Sequence, residues 1–441
     1  MIGIKERIKR RLSKLYAVQQ EFLEKNPIFD TRYLDKKIGD YALSIVKYPQ
    51  SYAPINENNI AFLVTLLCDD GGHTELLKNL IQALPPTYKS KIFVTGKTRT
   101  EQNFVDKLTE IKQKSEISGV DFNWKKEKQS LGDLLKQILE FSPKKLITFL
   151  HMDDTFAVAL LALIKKHTQI EIIFCNIGSH HSSLGMSFAH LIWEGMPSTA
   201  FVTQTYRGFK NTKVLGLCHL TKENLPVFTE QEVSKTKKEL GIPENALCTM
   251  TGCASYKLFE QGRSLYLEMI QRILNENENI YHVLITRLDN EQKNTLKSLN
   301  ISNRLIVVDF TSKFKLYFKC ADLFIDSFPI SSALTMIDLM SLKVPFVAFK
   351  NTNNLVFCFY EYLPENYDYL FDNVIEMQSG IEKLLNNKAE MKRVADANYA
   401  YYLENFEGSK VAQNVLNANS FDEFIQEEDY KNFKVIKLFP I

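Results

Sequence analysis

The sequence lacks any run of about 18 consecutive apolar residues, so it offers no membrane-spanning helix. Its first residues, MIGIKERIKRRLSKLY, lack the apolar core of a secretory signal. Both absences predict a cytoplasmic protein. Net charge is nearly absent too: 54 basic and 52 acidic residues leave +2. No bulk field draws the chain to nucleic acid, and no nucleic-acid partner is expected. None of the seven cysteines (Cys68, Cys175, Cys218, Cys248, Cys253, Cys320, Cys358) forms a C-x-x-C pair, and their number is odd. That excludes a zinc or redox motif and a disulfide framework, and predicts reduced, buried thiols. No G-x-G-x-x-G follows a strand, which leaves a dinucleotide-dependent oxidoreductase unsupported. A phosphate-loop lysine motif and a G-x-S-x-G nucleophile turn are also missing. Asp69-Asp70 and Asp153-Asp154 are adjacent pairs rather than the D-x-D that often holds a metal–diphosphate, so no metal is expected.

What the chain does have is a repeated alternation. Its 441 residues suit two domains rather than one. After a polar helical lead-in (1–57), apolar β-rich runs occur at IAFLVTLLC (60–68), KIFVTG (91–96), KLITFL (145–150), IEIIFCN (170–176) and TAFVTQ (199–204). Helical patterns such as Glu75–Leu84 and Thr155–Lys166 separate them. Apolar runs without strict alternation predict strands buried on both faces, hence a parallel sheet covered by helices. The alternation breaks at HLTKENLPVF (219–228) and starts again, with strands expected at 246–252, 281–286, 304–310, 322–328 and 344–349. Two helices follow over 387–417. The expected division is 1–57, a first α/β domain 58–220, a second 221–390, and C-terminal helices and tail 391–441. Two consecutive parallel-sheet domains imply a cleft between them, and ligands of such sheets bind beyond the strand C-termini.

Four segments just after strands carry candidate chemistry. Cys68-Asp69-Asp70-Gly71-Gly72-His73-Thr74 combines two glycines for close backbone approach with a histidine at a helix start. His73 there can act as a general base or hold a donor phosphate or sugar hydroxyl, and it can equally just cap or pack. Asn176-Ile177-Gly178-Ser179-His180-His181-Ser182-Ser183 places paired histidines between a strand and a helix, either as acceptor or acid/base groups or as a plain polar loop. In the second domain, Lys257 emerges past a strand in Gly252-Cys253-Ala254-Ser255-Tyr256-Lys257, where an ammonium can neutralise a diphosphate and Ser255 can add a hydroxyl. Asp326-Ser327-Phe328-Pro329-Ile330-Ser331-Ser332-Ala333-Leu334-Thr335-Met336-Ile337-Asp338 reads as strand, turn and helix start, a phosphate-binding context. Asp338 can accept from ribose hydroxyls, or serve only the helix dipole. At the N-terminus, Ile4, Ile8, Leu12 and Leu15 would stripe a basic helix within residues 1–16. That helix either rests on anionic lipid at the inner face of the membrane or packs on the domain.

On these residues the chain resembles glycosyltransferases of the two-Rossmann GT-B architecture. CASYKLFEQG, followed by YHVLITR, is similar to the region of O-GlcNAc transferase where a Tyr-Lys follows the first C-domain strand. CADLFIDSFPISSALTMIDLMSLKVPFVAF resembles that family's nucleotide-binding segment. It resembles still more closely that of the bacterial cytoplasmic N-glycosyltransferases, sharing Phe328-Pro329, Ile337-Asp338 and Pro345. CDDGGHTELL resembles the family's histidine loop, and CNIGSHHSSLGMSFAHLIWEG resembles a second histidine segment of other bacterial GT-B enzymes. The resemblance implies that Lys257 binds the diphosphate and Thr335 holds phosphate, while Ser255, Ser331, Ser332 and Gly72 are expected around the donor from their places in these loops. It implies that Asp338 holds the ribose and Phe314 lies near the base, with His73 and His180 facing the sugar and acceptor. Ala333 and Leu334 stand where O-GlcNAc transferase has His-Thr, and Ala254 where it has a polar residue. Retaining GT-B enzymes often carry E-x7-E; here Ile330 takes the first place and Asp338 the second, which favours inversion.

The expected function is therefore transfer of a hexose or N-acetylhexosamine from a nucleotide diphosphate sugar, a UDP-sugar first, with no further cofactor. The acceptor would be a protein, a glycan or a lipid-linked glycan. The departures at Ala333 and Leu334 motivate an alternative, a catalytically silent GT-B subunit that binds glycan or protein and assists a partner enzyme.

Overall fold

The computed structural model describes residues 31–47, 53–67, 72–96, 105–119, 127–177, 183–260, 262–299, 301–351 and 357–418. The N-terminal stripe within 1–16, Cys68 to Gly71, and His180 with His181 lie outside the described residues. Two compact units are formed. One comprises the chain up to Cys218 together with the chain from Gly408 onward, and the other spans His219–Glu407. The first crossing is two residues before the expected boundary at 220. The second returns the chain to the first unit.

The first unit is built on a seven-stranded parallel sheet. Its strands are β1 (Asn56–Val64), β2 (Lys89–Val94), β3 (Ser115–Gly119), β4 (Pro143–Phe149), β5 (Glu171–Cys175), β6 (Leu191–Glu194) and β7 (Thr212–Val214), in the order β3-β2-β1-β4-β5-β6-β7. The central strand β1 is buried without a break from Asn59 to Val64, as the unalternating apolar run IAFLV demands. Around the sheet lie α1 (Arg32–Ile45), α2 (Gly72–Ala83), α3 (Val105–Lys114), α4 (Glu127–Phe141), α5 (Thr155–His167) and α6 (Pro197–Thr205). α5 is apolar nearly all round, and α1 covers it. Gly39 permits the close approach, since a Cβ there would lie 3.1 Å from Ala162 Cβ of α5 and 2.9 Å from Phe188 Cζ.

Residues 199–204, expected as a strand, are the body of α6. Pro197 sets φ for a first helical turn, and Thr199 Oγ1 donates back to Met196 O at 3.0 Å. The strand of that region is instead β6, whose residues are all buried.

The second unit holds a six-stranded parallel sheet: β8 (Leu247–Gly252), β9 (Ile280–Ile285), β10 (Leu305–Val308), β11 (Leu323–Ile325), β12 (Phe346–Phe349) and β13 (Leu370–Phe371), ordered β10-β9-β8-β11-β12-β13. Its helices are α7 (Glu230–Glu239), α8 (Leu265–Glu276), α9 (Asn290–Ser298), α10 (Phe314–Lys319), α11 (Ala333–Ser341), α12 (Val374–Leu385) and α13 (Lys388–Asn405). Local signals start several of them: a capping box joins Thr229 and Glu232 at α7, and Ser264 caps α8. The last helix, α14 (Gly408–Asn417), belongs to the first unit. Its Val411, Ala412, Val415 and Leu416 join the core formed by Ile60, Phe62, Leu77 and Leu80. No helix among the described residues is long and apolar enough to cross a membrane.

Candidate active site

In the second unit, β8 and β11 are neighbours with Thr249 opposite Leu323 and Met250 opposite Phe324. The segments leaving their C-termini, 253–257 and 326–332, therefore emerge side by side. A short 3₁₀ turn over Ser255–Leu258 presents Lys257. Its Nζ donates to Ser331 O at 2.9 Å and to Ser332 Oγ at 3.2 Å, and lies 5.8 Å from the Phe359 ring centre. All these partners are neutral. Among the described residues no carboxylate forms an ion pair with Lys257; Asp326 acts on it only through space. Burial lowers the lysine's pKa, and Cys253 and Asp326 oppose that.

Asp326 closes the turn from beneath. It accepts from Ser331 Oγ and from Ser332 N, the latter at 3.3 Å. Fully buried, it is pushed up to about 6 by desolvation, against these hydrogen bonds and the charge of Lys257. Ser327 Oγ donates to Ile330 O at 2.8 Å. The hydroxyls of Ser331 and Ser332 thus serve the turn itself. Those of Ser255 and Thr335 form no hydrogen bond among the described residues, and both residues are half-buried.

The turn runs straight into α11. Thr335 and Asp338, three residues apart, share one face of that helix. From Ser332 to Asp338 the axis advances about 9 Å at 1.5 Å per residue. Asp338 Oδ1 accepts from His219 Nε2 at 2.9 Å and from Lys315 Nζ at 3.2 Å. Oδ2 forms no hydrogen bond among the described residues, and 11% of the side chain stays open to solvent. The carboxyl is held below its ordinary pKa despite burial, first by Lys315 and then by His219. His219 is fixed from its other nitrogen, with Nδ1 3.0 Å from the Tyr402 hydroxyl, which donates to Leu220 O at 2.6 Å. Phe314 opens α10 beside Lys315, half-buried and edge-on to Phe318 at 5.6 Å. One side of the second sheet therefore assembles Lys257, Ser255, Ser331, Ser332, Thr335, Asp338 and Phe314.

In the first unit, Gly72 and His73 begin α2, and His73 is exposed at its tip. Surrounding protein mass lowers its pKa, and His151 adds to the effect. The sequence reading assigned no role to His151, His219, Lys315 or Asp326. His219 and Asp338 are 119 positions apart, so no local spacing could have paired them. Asp154, dismissed as half of an acidic pair, caps α5 by accepting from Ala157 N at 2.9 Å, and also accepts from Thr65 and Thr95.

By sequence, no protein family's model matches the chain, and no curated protein does either. The fold is another matter. HepE of Anabaena, solved in complex with UDP, is similar with a TM-score of 0.63 and 13% identity, over 81% of this chain and 98% of that one. A glycosyltransferase from Rickettsia africae is similar with a TM-score of 0.64 and 11% identity, over 81% and 97%. An O-GlcNAc transferase variant from Thermobaculum terrenum gives 0.55 and 12%, over 92% and 76%. These neighbours are GT-B glycosyltransferases, and the two parallel-sheet units of this chain have that fold.

Proposed function

We propose that the chain is a glycosyltransferase that takes a hexose or N-acetylhexosamine from a UDP-sugar and passes it, with inversion and without a metal, to a protein or glycan acceptor. The observation that carries this reading is Lys257: a half-buried lysine whose hydrogen-bond partners among the described residues are all neutral, set against the first turn of α11. Such a charge is offset when an anion arrives, and the free N–H groups of a helix start add to the attraction. A diphosphate placed there meets Ser255 and Thr335 hydroxyls that form no hydrogen bond among the described residues. Farther along the same helix, Asp338 Oδ2, which forms no hydrogen bond among the described residues, can accept from a ribose hydroxyl, and Phe314 offers a ring to the base. As the sugar's C1 leaves the diphosphate, charge builds where Lys257 stands, and stabilisation there is electrostatic. In the first unit His73, whose pKa is lowered, takes the proton of the acceptor. UDP bound to HepE and the transferase neighbours support the donor class.

Thermal unfolding with UDP or GDP tests the reading. A nucleotide at 100 times its dissociation constant adds about 2.7 kcal/mol of stability. A response to UDP, followed by transfer from a UDP-sugar that survives EDTA and yields the inverted anomer, is the expected result. A response to UDP without transfer to any acceptor would favour the silent-subunit alternative. No response to either nucleotide would end the reading.

A further inference from the structure

Thr249 and Thr251 stand two apart on β8, so both side chains leave the same face of the sheet. On that face a chain of hydrogen bonds runs through four buried side chains, those of Thr249, His282, Tyr266 and Thr251. Thr249 Oγ1 lies 2.9 Å from Nδ1 of His282, its neighbour on β9. Nε2 of His282 lies 3.1 Å from the hydroxyl of Tyr266, the second residue of α8. That hydroxyl meets Thr251 Oγ1, which donates to Ile325 O at the end of β11.

Counting protons gives the chain a direction. Ile325 O can only accept, so the single hydroxyl proton of Thr251 goes to it. Tyr266 then donates to Thr251, and His282 donates to Tyr266 from Nε2. Nδ1 is left bare and takes the proton of Thr249, whose other acceptor, Tyr281 O, is farther off at 3.3 Å. Burial pushes His282 down to about 3 and Tyr266 well above its ordinary value, so neither carries charge near neutral pH.

Two loops start from this chain. Thr251 leads into the segment that presents Lys257, and Ile325 into the turn whose Ser331 O and Ser332 Oγ hold Lys257 Nζ. Tyr266 touches that turn a second time, its ring edge-on to Phe328 at 5.4 Å. We propose that Tyr266, held by His282, is a positioning residue for Lys257: its hydroxyl sets the Thr251 proton on Ile325 O and so joins the strand ends from which both loops leave. This rests on the reading of Lys257 as the ammonium that meets the diphosphate. Lys257 and its two acceptors sit on different loops, so a slip between the strand ends moves the charge away from the donor.

The test compares Tyr266→Phe, which keeps the ring, with Thr249→Val at the far end of the chain. Each leaves one buried histidine nitrogen without its partner, so both should lower the melting temperature. Calorimetry then reads the binding of UDP and of uridine, which has no phosphate. Tyr266→Phe should weaken UDP about tenfold, the lower end of what a hydrogen bond to a charged group contributes, and leave uridine unchanged. Thr249→Val should leave both unchanged. Thr251→Val should behave as Tyr266→Phe does, and Thr251→Ser, which keeps the hydroxyl, should restore wild-type affinity. Nitrogen-15 NMR of the wild type reads the proton order itself: His282 should carry its proton on Nε2 throughout the range in which an ordinary histidine titrates. A proton on Nδ1, or equal losses of UDP and uridine in Tyr266→Phe, overturns the inference even in a chain that transfers sugar. The predicted loss of UDP alone, in a chain that transfers no sugar from any nucleotide donor, would uphold the positioning role and sink the proposed transfer.

Discussion

Asp338 holds His219 through a 2.9 Å hydrogen bond to Nε2, joining the first residue of the second unit to the middle of α11. With Lys315 on the same oxygen, the carboxylate is oriented by two donors before any ligand arrives.

Replacing Asp338 should therefore cost twice. Asp338→Asn leaves two cationic or polar groups facing an amide, and breaking a buried charged contact costs about 3 kcal/mol or more. Lys315 keeps some solvent, which places the effect at the lower end. Denaturant unfolding should show that loss, and donor KM should rise. Because the pKa of Asp338 is depressed in the folded state, its stabilisation is full above its unfolded value near 3.8 and is lost as pH falls below it. The variant's stability should be flatter over that range.

Lys257→Met should abolish transfer while the protein stays folded. Removing one preorganised electrostatic contact costs about 3 kcal/mol at the transition state, more than a hundredfold in rate. Far-UV dichroism and a thermal melt establish the fold, and initial rates give the loss. Unchanged turnover would remove Lys257 from the mechanism.

Donor affinity should depend on Asp326. Its carboxyl titrates at about 6, and once ionised it offsets part of the positive field of Lys257. A UDP-sugar, whose diphosphate has no proton to gain near that pH, should bind more tightly as pH falls through about 6. Calorimetric titrations between pH 7.5 and 5, each roughly one unit apart, measure this directly. Affinity that weakens in that direction would contradict the assignment.

Gly252 ends β8 where a Cβ would meet Phe318 Cε1 at 2.7 Å. Phe318 is itself packed on Phe314 and Phe324, so it has little room to yield. Gly252→Ala should destabilise the second unit by about 1–3 kcal/mol, the usual cost of overpacking. Displacement of Phe314 should also raise the KM for the donor more than it lowers kcat.

The sheets were legible because buried parallel strands leave unbroken apolar runs, as at Ile60–Val64 and Phe346–Phe349. Short edge strands leave little trace: β7 has three residues and β13 two. Residues 199–204 misled because Thr, Phe and Val favour strands in isolation, while Pro197 and burial on the sheet made them helical. Among the candidate residues, Lys257 and Thr335 were legible because each stands near a strand end or helix start, and Asp338 because it follows Thr335 by about one helical turn, contexts visible within a dozen residues. His219, Lys315 and His151 were not, since what they do depends on partners brought close only by folding. Asp326 lay within a segment singled out by sequence, but its burial beneath the turn is a property of the sheet.

The return of the chain through α14 makes the second unit an insertion within the first. A fragment spanning His219–Glu407 would carry every strand of its own sheet, whereas stopping the protein at Cys218 would strip Val411, Val415 and Leu416 from the core around β1 and α2. The second unit can thus be cut out as one continuous piece. The half bearing His73 can be isolated only by splicing its two parts together.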